Sequence, residues 1–242
     1  MGRITVVTSG KGGTGKSTVT SGLCTALARQ GKKVLIIDCD TGMRGVDLLL
    51  GINSELVFDI SDVVNGNCNI LNAIYPCKSI SGLYVLASPL NEQNKISPSV
   101  FSQIVRALSK FYDYIFIDCP AGIGAGFKTS ISGADSAIVV ANAEPLSLRC
   151  GSKVRELLNN SNINNIRLVI NRFSKSAFKK LKVFSDLDDV IDEVGIRLLG
   201  IVPEDFKAVS LAQRGLPISG KIPAAKAFDN IALRYIKDYP CN

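Results

Sequence analysis

The sequence predicts an α/β protein: a three-layer fold in which a mainly parallel β-sheet is flanked by helices on both faces. Short apolar runs alternate with segments of helical periodicity along nearly the whole chain, and βαβ units produce that pattern. Three of the apolar runs end in an aspartate or an asparagine, namely Asp38, Asp118 and Asn171. Polar groups at strand ends fit an α/β sheet, which binds ligands at the carboxyl edge of its strands.

The apolar runs predict seven strands, each short enough to be a buried strand. They cover residues 4–8, 32–38, 83–86, 114–118, 136–141, 166–171 and 197–202. Helical segments are predicted between them at residues 16–30, 46–50, 54–64, 69–74, 146–158, 188–194, 204–214 and 224–237. A further helix begins at Ser97-Pro98, with Val100, Ile104, Val105 and Leu108 on its inner face. We find no repeat and no long linker, so we expect residues 1–242 to form one domain.

Composition is ordinary for a globular protein, with 46% apolar and 20% charged residues in 242. We expect no signal peptide, and no apolar run approaches the roughly 18 residues of a membrane-spanning helix. The seven cysteines include no C-x-x-C pair, and the chain has no histidine. We therefore expect reduced, mostly buried thiols in a cytoplasmic protein, without a metal cluster in one chain. The formal charge of +7 is compatible with an anionic membrane surface or DNA as partner and establishes neither.

A glycine-rich stretch follows the first strand and leads into the first helix. Its residues are Gly10, Lys11, Gly12, Gly13, Thr14, Gly15, Lys16, Ser17 and Thr18. Gly10, Gly15, Lys16 and Ser17 occupy the fixed places of the phosphate-binding loop G-x-x-x-x-G-K-[ST]. Glycines let backbone N–H groups surround phosphate oxygens, and the helix N-terminus adds further donors. Lys16 would reach the β- and γ-phosphates and Ser17 would bind Mg²⁺, so the stretch predicts a nucleoside triphosphate site.

Acidic residues end two of the predicted strands. Asp118 precedes Cys119-Pro120-Ala121-Gly122, and a carboxylate there would hold Mg²⁺ on the same side as Ser17. Asp38 and Asp40 end the second predicted strand, and strand alternation directs both towards the phosphate-binding edge. Two lysines, a metal ion and a positioned water could supply what phosphoryl transfer requires.

These motifs resemble those of the MinD/ParA family of P-loop ATPases. The string K-G-G-T-G-K-S-T from Lys11 to Thr18 looks like the family's deviant Walker A motif, and D-C-P-A-G from Asp118 looks like its switch II. The resemblance implies that Lys11 reaches the partner's nucleotide across a dimer. It also implies that one of Asp38 and Asp40 supports Mg²⁺ while the other orients the attacking water. We assign Asp38 to magnesium and Asp40 to the water, with the opposite assignment open.

The resemblance also implies a position for the nucleotide base. In this family the adenine is held at positions that match Asn171, Pro203, Glu204 and Asp205. The chain has no guanine-selecting N-K-x-D motif, so we expect ATP rather than GTP. With ATP and Mg²⁺ as ligands, the expected catalytic residues are Lys11, Lys16 and Asp40, and the expected metal-binding residues are Ser17, Asp38 and Asp118.

The string from Thr41 to Leu48 resembles the MinD branch of the family more than chromosome-partitioning ParA proteins. This implies a homodimer on ATP binding, hydrolysis that returns monomers, a role in placing the division septum, and regulators of MinC/MinE type. Asn142, Glu144, Ser147 and Arg149 fall where such proteins contact their partners. Cys150 stands where MinD proteins usually have an aspartate, which puts the usual regulator contacts in doubt.

The last predicted helix bears on membrane binding. Phe228, Ile231, Ala232, Tyr235 and Ile236 form an apolar stripe at helical spacing. MinD proteins end in a basic amphipathic helix that enters the membrane surface, but acidic residues balance the basic ones here. We predict that this helix packs on the sheet, so the chain has no clear membrane anchor. The expected localisation is cytoplasmic, with peripheral binding at the inner face of the cell membrane as an option.

A second basic region follows the sixth predicted strand. Arg172, Lys175, Lys179, Lys180 and Lys182 alternate with Phe173, Phe178 and Phe184, and five acidic residues come next. Nucleic acid or anionic lipid could bind such a segment. We favour a solvated insertion whose opposite charges pair locally. Two other functions stay open for the whole chain, namely a ParA-like ATPase that positions DNA or cargo and, less favoured, a carrier of metal clusters.

Overall fold

The computed structural model describes residues 1–42, 44–89 and 96–239. Met43, within the string from Thr41 to Leu48, and the final residues Pro240, Cys241 and Asn242 lie outside the described residues. All strands of the described residues belong to one sheet. They are β1 (Arg3–Thr8), β2 (Val34–Asp38), β3 (Ile74–Pro76), β4 (Leu83–Leu86), β5 (Tyr114–Asp118), β6 (Ser136–Ala141), β7 (Ile166–Phe173) and β8 (Leu198–Pro203).

The sheet order is β3-β4-β2-β5-β1-β6-β7-β8, and every pair is parallel except β3 with β4. All seven predicted strands are present. The sequence prediction missed β3 and placed only its first residue, Ile74, at the end of a predicted helix at 69–74. That region instead forms a short 3₁₀ helix, Ile70–Ala73, followed directly by the three-residue edge strand. A proline ends β3, which an edge strand tolerates because one of its sides needs no N–H donor.

Helices cover both faces of the sheet, as predicted. They are α1 (Lys16–Arg29), α2 (Gly45–Leu50), α3 (Ile60–Val64), α4 (Pro98–Leu108), α5 (Ala125–Ile131), α6 (Pro145–Asn160), α7 (Lys175–Leu181), α8 (Leu187–Val194), α9 (Phe206–Gln213) and α10 (Pro223–Asp238). The predicted helix at 54–64 is shorter, because Asp59 adopts an extended conformation and caps α3 with its side chain. The sequence prediction did not include α5 or α7.

The two layers of helices bury opposite faces of each strand. Along β5, Tyr114 and Phe116 pack with residues of α1, α2 and α10, whereas Ile115 and Ile117 pack with residues of α4, α6 and α8. This alternation is the period of two that an extended chain imposes. The predicted inner face of α4 is partly wrong, since Val100 is exposed and Phe101 is buried in its place.

Helix α10 is part of the core, as the sequence predicted. Phe228, Ile231, Ala232 and Tyr235 are buried in the same cluster as α1. The Tyr235 hydroxyl bonds the Thr5 hydroxyl on β1, at the centre of the sheet. The Tyr114 hydroxyl donates to the carbonyl of Tyr239, 2.8 Å away, just after the helix. The apolar face of α10 is therefore used by the protein's own sheet.

Two further observations concern membranes and thiols. Among the described residues, no helix is long and apolar enough to span a membrane. Six of the cysteines are described and all six are free thiols. Cys24, Cys77 and Cys119 are buried, whereas Cys39, Cys68 and Cys150 are half-buried, so fewer thiols are fully buried than the sequence suggested.

The contribution of α10 to stability can be measured. We expect Phe228→Ala to lower the free energy of unfolding by about 3–5 kcal/mol, because the ring is 1% exposed and its removal leaves a cavity against α1. Leu233→Ala on the same helix is the control; its side chain is 52% exposed, and we expect a change of about 0.5 kcal/mol or less. Urea unfolding measures both. Equal destabilisation by the two substitutions would contradict the core position of α10.

Candidate functional site

The glycine-rich loop lies at the carboxyl ends of the strands, near the middle of the sheet. It joins β1 to α1, and β1 sits between β5 and β6 in the sheet. Strands β2 to β5, which follow β1 in the sequence, lie on one side of it in the strand order, whereas β6, β7 and β8 lie on the other side. In open α/β sheets, the crevice at such a reversal of strand order is where ligands bind.

Backbone geometry explains two of the loop glycines. Gly15 has a φ of 89°, and a Cβ atom at this position would lie 2.3 Å from the Nδ2 atom of Asn171. At Gly10, a Cβ atom would lie 2.5 Å from the carbonyl oxygen of Cys150 on α6. Side chains are therefore excluded at both ends of the loop by neighbouring elements, and at Gly15 by backbone conformation as well. The loop is held in shape before any ligand arrives.

The N-terminus of α1 is open to an anion. Its capping residue is Gly15, no side chain of the described residues caps it, and its first turn contains no acidic residue. The free N–H groups and the helix dipole therefore leave a partial positive charge there. Lys16, the first residue of α1, is 7% exposed, and among the described residues its ammonium group has no hydrogen bond or ion pair at close range. A phosphate group is the ligand that such an arrangement suits.

Two carboxyl groups are buried next to this loop. Asp38 and Asp118 are partners in the parallel pairing of β2 with β5, and they are 2% and 1% exposed. Burial raises the pKa of Asp38 to about 8, with the Asp118 charge as the second cause. Burial also raises the pKa of Asp118, to about 6, although bonds from Ser17 and Thr20 and the charge of Lys16 oppose the rise. The positive charge near Asp38 and Asp118 is therefore too small to keep their pKa values at the ordinary level.

Hydrogen bonds fix the orientation of both carboxyl groups. The hydroxyls of Ser17 and Thr20 donate to Asp118, at 2.6 and 2.8 Å. The backbone N–H groups of Asp40 and Val46 donate to Asp38, at 2.8 and 3.2 Å. A hydroxyl and two carboxylates, all oxygen ligands, form a donor set that Mg²⁺ prefers. The residues present thus fit the predicted metal site, with phosphate oxygens and water completing the coordination.

Asp40 differs from Asp38 in its surroundings. It is only half-buried, and burial raises the pKa of its carboxyl while the charge of Lys16 opposes that rise. Its backbone N–H, rather than its side chain, supports the buried Asp38. The more accessible carboxyl of Asp40 can contact solvent, which favours the assignment of Asp40 to the water and Asp38 to the metal.

Lys11 lies at the mouth of the loop. Its ammonium group is 3.1 Å from a carboxylate oxygen of Glu144, and the two side chains are 37% and 60% exposed. Exposed pairs of this kind contribute only about 0.2–1 kcal/mol. Lys11 can therefore exchange Glu144 for another anion at little cost.

The predicted base-binding residues have mixed positions. Asn171 is 3% exposed and its amide donates to the carbonyl of Thr14, 2.8 Å away, so it supports the loop. Asp205 caps α9 and also accepts the N–H of Ala224, which leaves its carboxylate occupied by backbone groups. Glu204 is exposed beside the end of β7. A base at this edge would therefore meet the backbone of this segment more than the Asp205 carboxylate.

The structure contradicts the expectation that Ser147, near the start of α6, contacts a partner. Ser147 is 2% exposed and its hydroxyl accepts the N–H of Asn142, so it stabilises the turn and is not available to a partner. Glu144 and Arg149 are exposed. Cys150 packs against Gly10, and its backbone is what excludes a side chain there. The contact involves the backbone and Cβ atoms of residue 150, so it does not depend on a cysteine at this position.

Two residues support the site in ways that sequence reasoning missed, since it did not consider Thr20 and placed Asn142 among the partner contacts. Thr20 makes the second hydrogen bond to Asp118, and it could have been found because it lies one helical turn after Ser17, on the same face of α1. The side-chain amide of Asn142 donates to the carbonyl of Asn171, 3.0 Å away, between adjacent strands β6 and β7. No local pattern in the sequence indicates that contact, because 29 residues separate the two.

The basic region after β7 does not pair its charges locally, contrary to our interpretation. Within the described chain, none of Arg172, Lys175, Lys179, Lys180 and Lys182 forms an ion pair. Two of the five acidic residues that follow accept backbone N–H groups. Asp186 accepts the N–H groups of Asp188 and Asp189 at the start of α8, and Asp189 accepts that of Ser185.

Comparison with known proteins agrees with this geometry. Residues 5–218 match the model of the CobQ/CobB/MinD/ParA nucleotide binding domain. The septum site-determining protein MinD of Bacillus subtilis (strain 168) is 37% identical over 241 residues, which are 98% of this chain and 90% of that protein. The match to the family model and the match to this relative both extend over most of the chain.

Solved structures show the same fold. The MinC:MinD cell division protein complex of Aquifex aeolicus contains a chain that is 35% identical, with a TM-score of 0.89 over 97% of this chain and 96% of that one. The septum site-determining protein MinD of Pyrococcus horikoshii OT3, solved with Mg-ADP, is 30% identical, with a TM-score of 0.88 over 99% and 98%.

The buried carboxyl pair predicts a dependence of stability on pH. Both groups hold protons in the native, nucleotide-free protein at pH values where the unfolded chain has released them, since their pKa values rise from 3.8 to about 6 and about 8. Their contribution to the free energy of unfolding therefore falls as the pH rises from about 4 to about 8.

We expect Asp118→Asn to reduce that dependence, because it removes one titrating group and the charge that acts on Asp38. The variant should resemble the parent protein at about pH 4 or below and gain stability relative to it as the pH rises to about 8. Urea unfolding at several pH values, without nucleotide, measures the difference between the two proteins. A difference that is constant with pH would contradict the coupling of the two carboxyl groups.

Proposed function

The chain belongs to the CobQ/CobB/MinD/ParA nucleotide-binding family, and from this premise we propose that it is a Mg²⁺-dependent ATPase that dimerises when it binds ATP. We further propose a MinD-like role in placing the division septum, with residues 1–242 acting as one ATPase domain. The observation that carries the proposal is the open, pre-shaped glycine loop beside a pair of buried carboxyl groups. The identity to MinD proteins over almost the whole chain supports the septum role.

Binding of the triphosphate follows from the loop. Its backbone N–H groups and the uncapped N-terminus of α1 would surround the phosphate oxygens, and Lys16 would neutralise the β- and γ-phosphates. The loop does not have to reorganise, because Asn171 and the backbone of Cys150 already hold both of its ends. A preorganised site spends less of its binding free energy on ordering itself.

The metal site follows from the carboxyl pair. Mg²⁺, when bound, would offset negative charge on the phosphates and on Asp38 and Asp118. Ser17 would turn its hydroxyl oxygen to the metal, and Asp118, held by Thr20, would remain in place to support it. Asp40 would accept a hydrogen bond from the attacking water and orient it, since its carboxyl is half-buried and close enough to sense Lys16.

Lys11 is proposed to act on the nucleotide of the partner subunit. It is exposed at the mouth of the loop, and its ion pair with Glu144 is weak enough to exchange. A cation supplied across a dimer stabilises the charge that develops on the transferred phosphoryl group. Hydrolysis would then require the dimer. Because bound ATP stabilises the dimer, hydrolysis would also return the subunits to monomers.

Regulators and surfaces are proposals of the same kind. The related Aquifex aeolicus protein was solved in a MinC:MinD complex, which supports a regulator of that type for this chain. Glu144 and Arg149 on the exposed start of α6 are its expected contacts. A ParA-like role in positioning DNA stays the second candidate, favoured by the formal charge of +7.

The first test removes the lysine that binds phosphate. We expect Lys16→Ala to abolish ATP-dependent dimers, because the buried cation that neutralises the β- and γ-phosphates is lost. Light scattering in ATP with Mg²⁺ and in ADP measures the dimer. Lys226→Ala, at an exposed position on α10, is the matched control and should dimerise normally. If Lys16→Ala formed as much ATP-dependent dimer as the parent protein, the proposal that ATP binding drives dimerisation would be wrong.

The second test asks whether Lys11 works across the dimer. We expect Lys11→Ala to bind ATP as a monomer but to hydrolyse it at least about 10³-fold more slowly, as with other cations supplied in trans. Asp40→Ala should also be inactive, because the water loses its orienting group.

Mixing the two inactive variants separates action in trans from action in cis. In a mixed dimer, the site of the Lys11→Ala subunit keeps its own Asp40 and receives Lys11 from the other subunit. An equimolar mixture should therefore recover about a quarter of the parental ATPase rate, since half of the dimers are mixed and one of their two sites is complete. No recovery, with mixed dimers present, would place Lys11 in its own subunit's site.

A further inference from the structure

Strand β7 carries one extra residue where it approaches the glycine-rich loop. In its pairing with β8, residues 170–173 of β7 lie along residues 201–203, so two residues of β7, Asn171 and Arg172, stand opposite one residue of β8. We call this irregularity the β7 bulge. Pairing resumes beyond it at Phe173, so the bulge lies inside the strand and does not end it. Bulges are frequent next to functional sites, where they redirect a side chain.

The bulge puts one residue into an unfavourable backbone conformation. Arg172 has a φ of 53°, in the left-handed region that favours glycine. A residue with a side chain stays in this region only where its surroundings hold it there. The Arg172 side chain is exposed, so its own packing contributes little. The residues on either side of Arg172 therefore hold the bulge in place.

Beyond the bulge, Phe173 provides one attachment. Regular alternation along the strand would direct Arg172 towards the layer of α4, α6 and α8, because Leu168 and Ile170 face that layer. The extra residue reverses this order, so Phe173 packs on the layer and Arg172 is left outside. The carbonyl of Phe173 also accepts the N–H of Glu204, 3.1 Å away, which joins the bulge to the expected base-binding segment.

Before the bulge, Asn142 provides the second attachment. Strands β6 and β7 pair as far as Ala141 with Ile170, so Asn142 and Asn171 are the next residues along the two strands. The side-chain amide of Asn142 donates to the carbonyl of Asn171, 3.0 Å away. Asn142 is fixed in turn, because its own N–H donates to the hydroxyl of Ser147. A side chain thus continues the contact between β6 and β7 where their backbone pairing ends.

Asn171, held in this way, contacts the glycine-rich loop. The residue is 3% exposed, and its side-chain amide donates to the carbonyl of Thr14, 2.8 Å away. Its Nδ2 atom occupies the space that a Cβ atom of residue 15 would need. The end of the loop that leads into α1 is therefore held by Asn171, which is itself held by Asn142.

We propose that Asn142 is a positioning residue for nucleotide binding, which acts by holding Asn171 and the β7 bulge against the glycine-rich loop. Asn142 does not have to contact the nucleotide for this purpose. A loop that is ordered before its ligand arrives spends less binding free energy on ordering itself. The proposal deepens the proposed function and rests on it for the identity of the ligand, a nucleotide with Mg²⁺.

The effect should fall on affinity rather than on turnover. Backbone groups of a phosphate-binding loop surround phosphates that ATP and ADP share, and the base is common to both nucleotides. Lys11 and Asp40 are proposed instead to act on the terminal phosphate, which ADP lacks, and on the water that attacks it. Loss of the Asn142 contact should therefore weaken the binding of ATP and ADP by the same factor.

Titration with ADP and Mg²⁺ tests Asn142 without requiring the dimer. We expect Asn142→Ala to raise the dissociation constant of ADP about tenfold, the effect of losing about one buried hydrogen bond. In ATP hydrolysis, KM should rise by a similar factor and kcat should stay within about twofold of the parental value. Asn160→Ala, at the exposed far end of α6, is the matched control and should bind as the parent does. Urea unfolding of each variant confirms that folded proteins are compared.

An isosteric substitution separates the hydrogen bond from the space that the side chain fills. Asn142→Asp keeps the shape but replaces the donor amide by a carboxylate, which repels the carbonyl of Asn171. We expect it to weaken ADP binding at least as much as Asn142→Ala. Titration at high salt limits the effect of the added charge on the phosphates. A side chain that only filled space would give the opposite order of the two variants.

Two substitutions at Arg172 test the bulge. Arg172→Gly and Arg172→Val both remove the guanidinium group, but only glycine adopts a φ of 53° without strain. We expect Arg172→Gly to bind ADP as the parent does and Arg172→Val to bind it about tenfold more weakly. When Arg172→Val is combined with Asn142→Ala, the two losses should not add, because both release the same amide of Asn171.

The outcomes separate the two proposals. Parental ADP affinity in Asn142→Ala and in Arg172→Val, with ATP-dependent dimers retained, would overturn the positioning role and leave the proposed ATPase intact. A kcat that falls as far as the affinity in these variants would overturn it as well, because the whole site would then be disturbed. Weaker ADP binding by both variants, in a protein that forms no dimer in ATP, would support the positioning role and contradict ATP-dependent dimerisation.

Discussion

Two carboxyl groups buried side by side impose the strongest electrostatic requirement on this structure. Asp38 and Asp118 end adjacent parallel strands in matching register, so the sheet itself brings them together. Burial and mutual repulsion raise the pKa of Asp38, and burial raises that of Asp118, so a conformation that keeps both ionised needs positive charge nearby. Ser17, Thr20 and Lys16 on α1 provide part of the compensation, and a divalent cation would provide the rest. The raised pKa values thus indicate that a bound cation would favour the ionised form of the pair.

The loop beside this pair is shaped by elements far away in sequence. Asn171, at the end of β7, donates to the loop carbonyl of Thr14 and occupies the space that a Cβ atom of residue 15 would need. The backbone of α6 at Cys150 occupies the space that a Cβ atom of residue 10 would need. Because the amide of Asn142, just after β6, donates to the carbonyl of Asn171 on β7, a series of contacts connects the glycine-rich loop, the carboxyl end of β7 and the start of α6. The exposed Glu144 is two residues from Asn142 and the exposed Arg149 is next to Cys150, so both lie close in sequence to these contacts.

The packing of α10 determines which surfaces remain for partners. Its apolar stripe completes the core around Tyr114 and Tyr235, so the stripe is not exposed to a partner. The segment 175–184 after β7 has the opposite character, since it is held by the half-buried Phe178 and Phe184 and exposes both lysines and aliphatic groups. In the sequence these two segments look alike, because each combines apolar and basic residues. The tertiary structure assigns one to the interior and the other to the outside.

The sequence by itself determined the fold class, seven of the eight strands and the phosphate loop, because these follow from local patterns. Buried strands are continuous apolar runs, and the glycines, Lys16 and Ser17 must stand at fixed spacing to surround a phosphate. Elements that depend on contacts distant in sequence were decided only by the tertiary structure. The strand β3 exists because β4 offers it an edge. Ser147 is buried, and its hydroxyl accepts the N–H of Asn142. Within the described chain the lysines after β7 form no ion pair, and Asp186 and Asp189 accept backbone N–H groups. Spacing along the chain contains no record of these competing partners, and only the folded chain shows which of them is within reach.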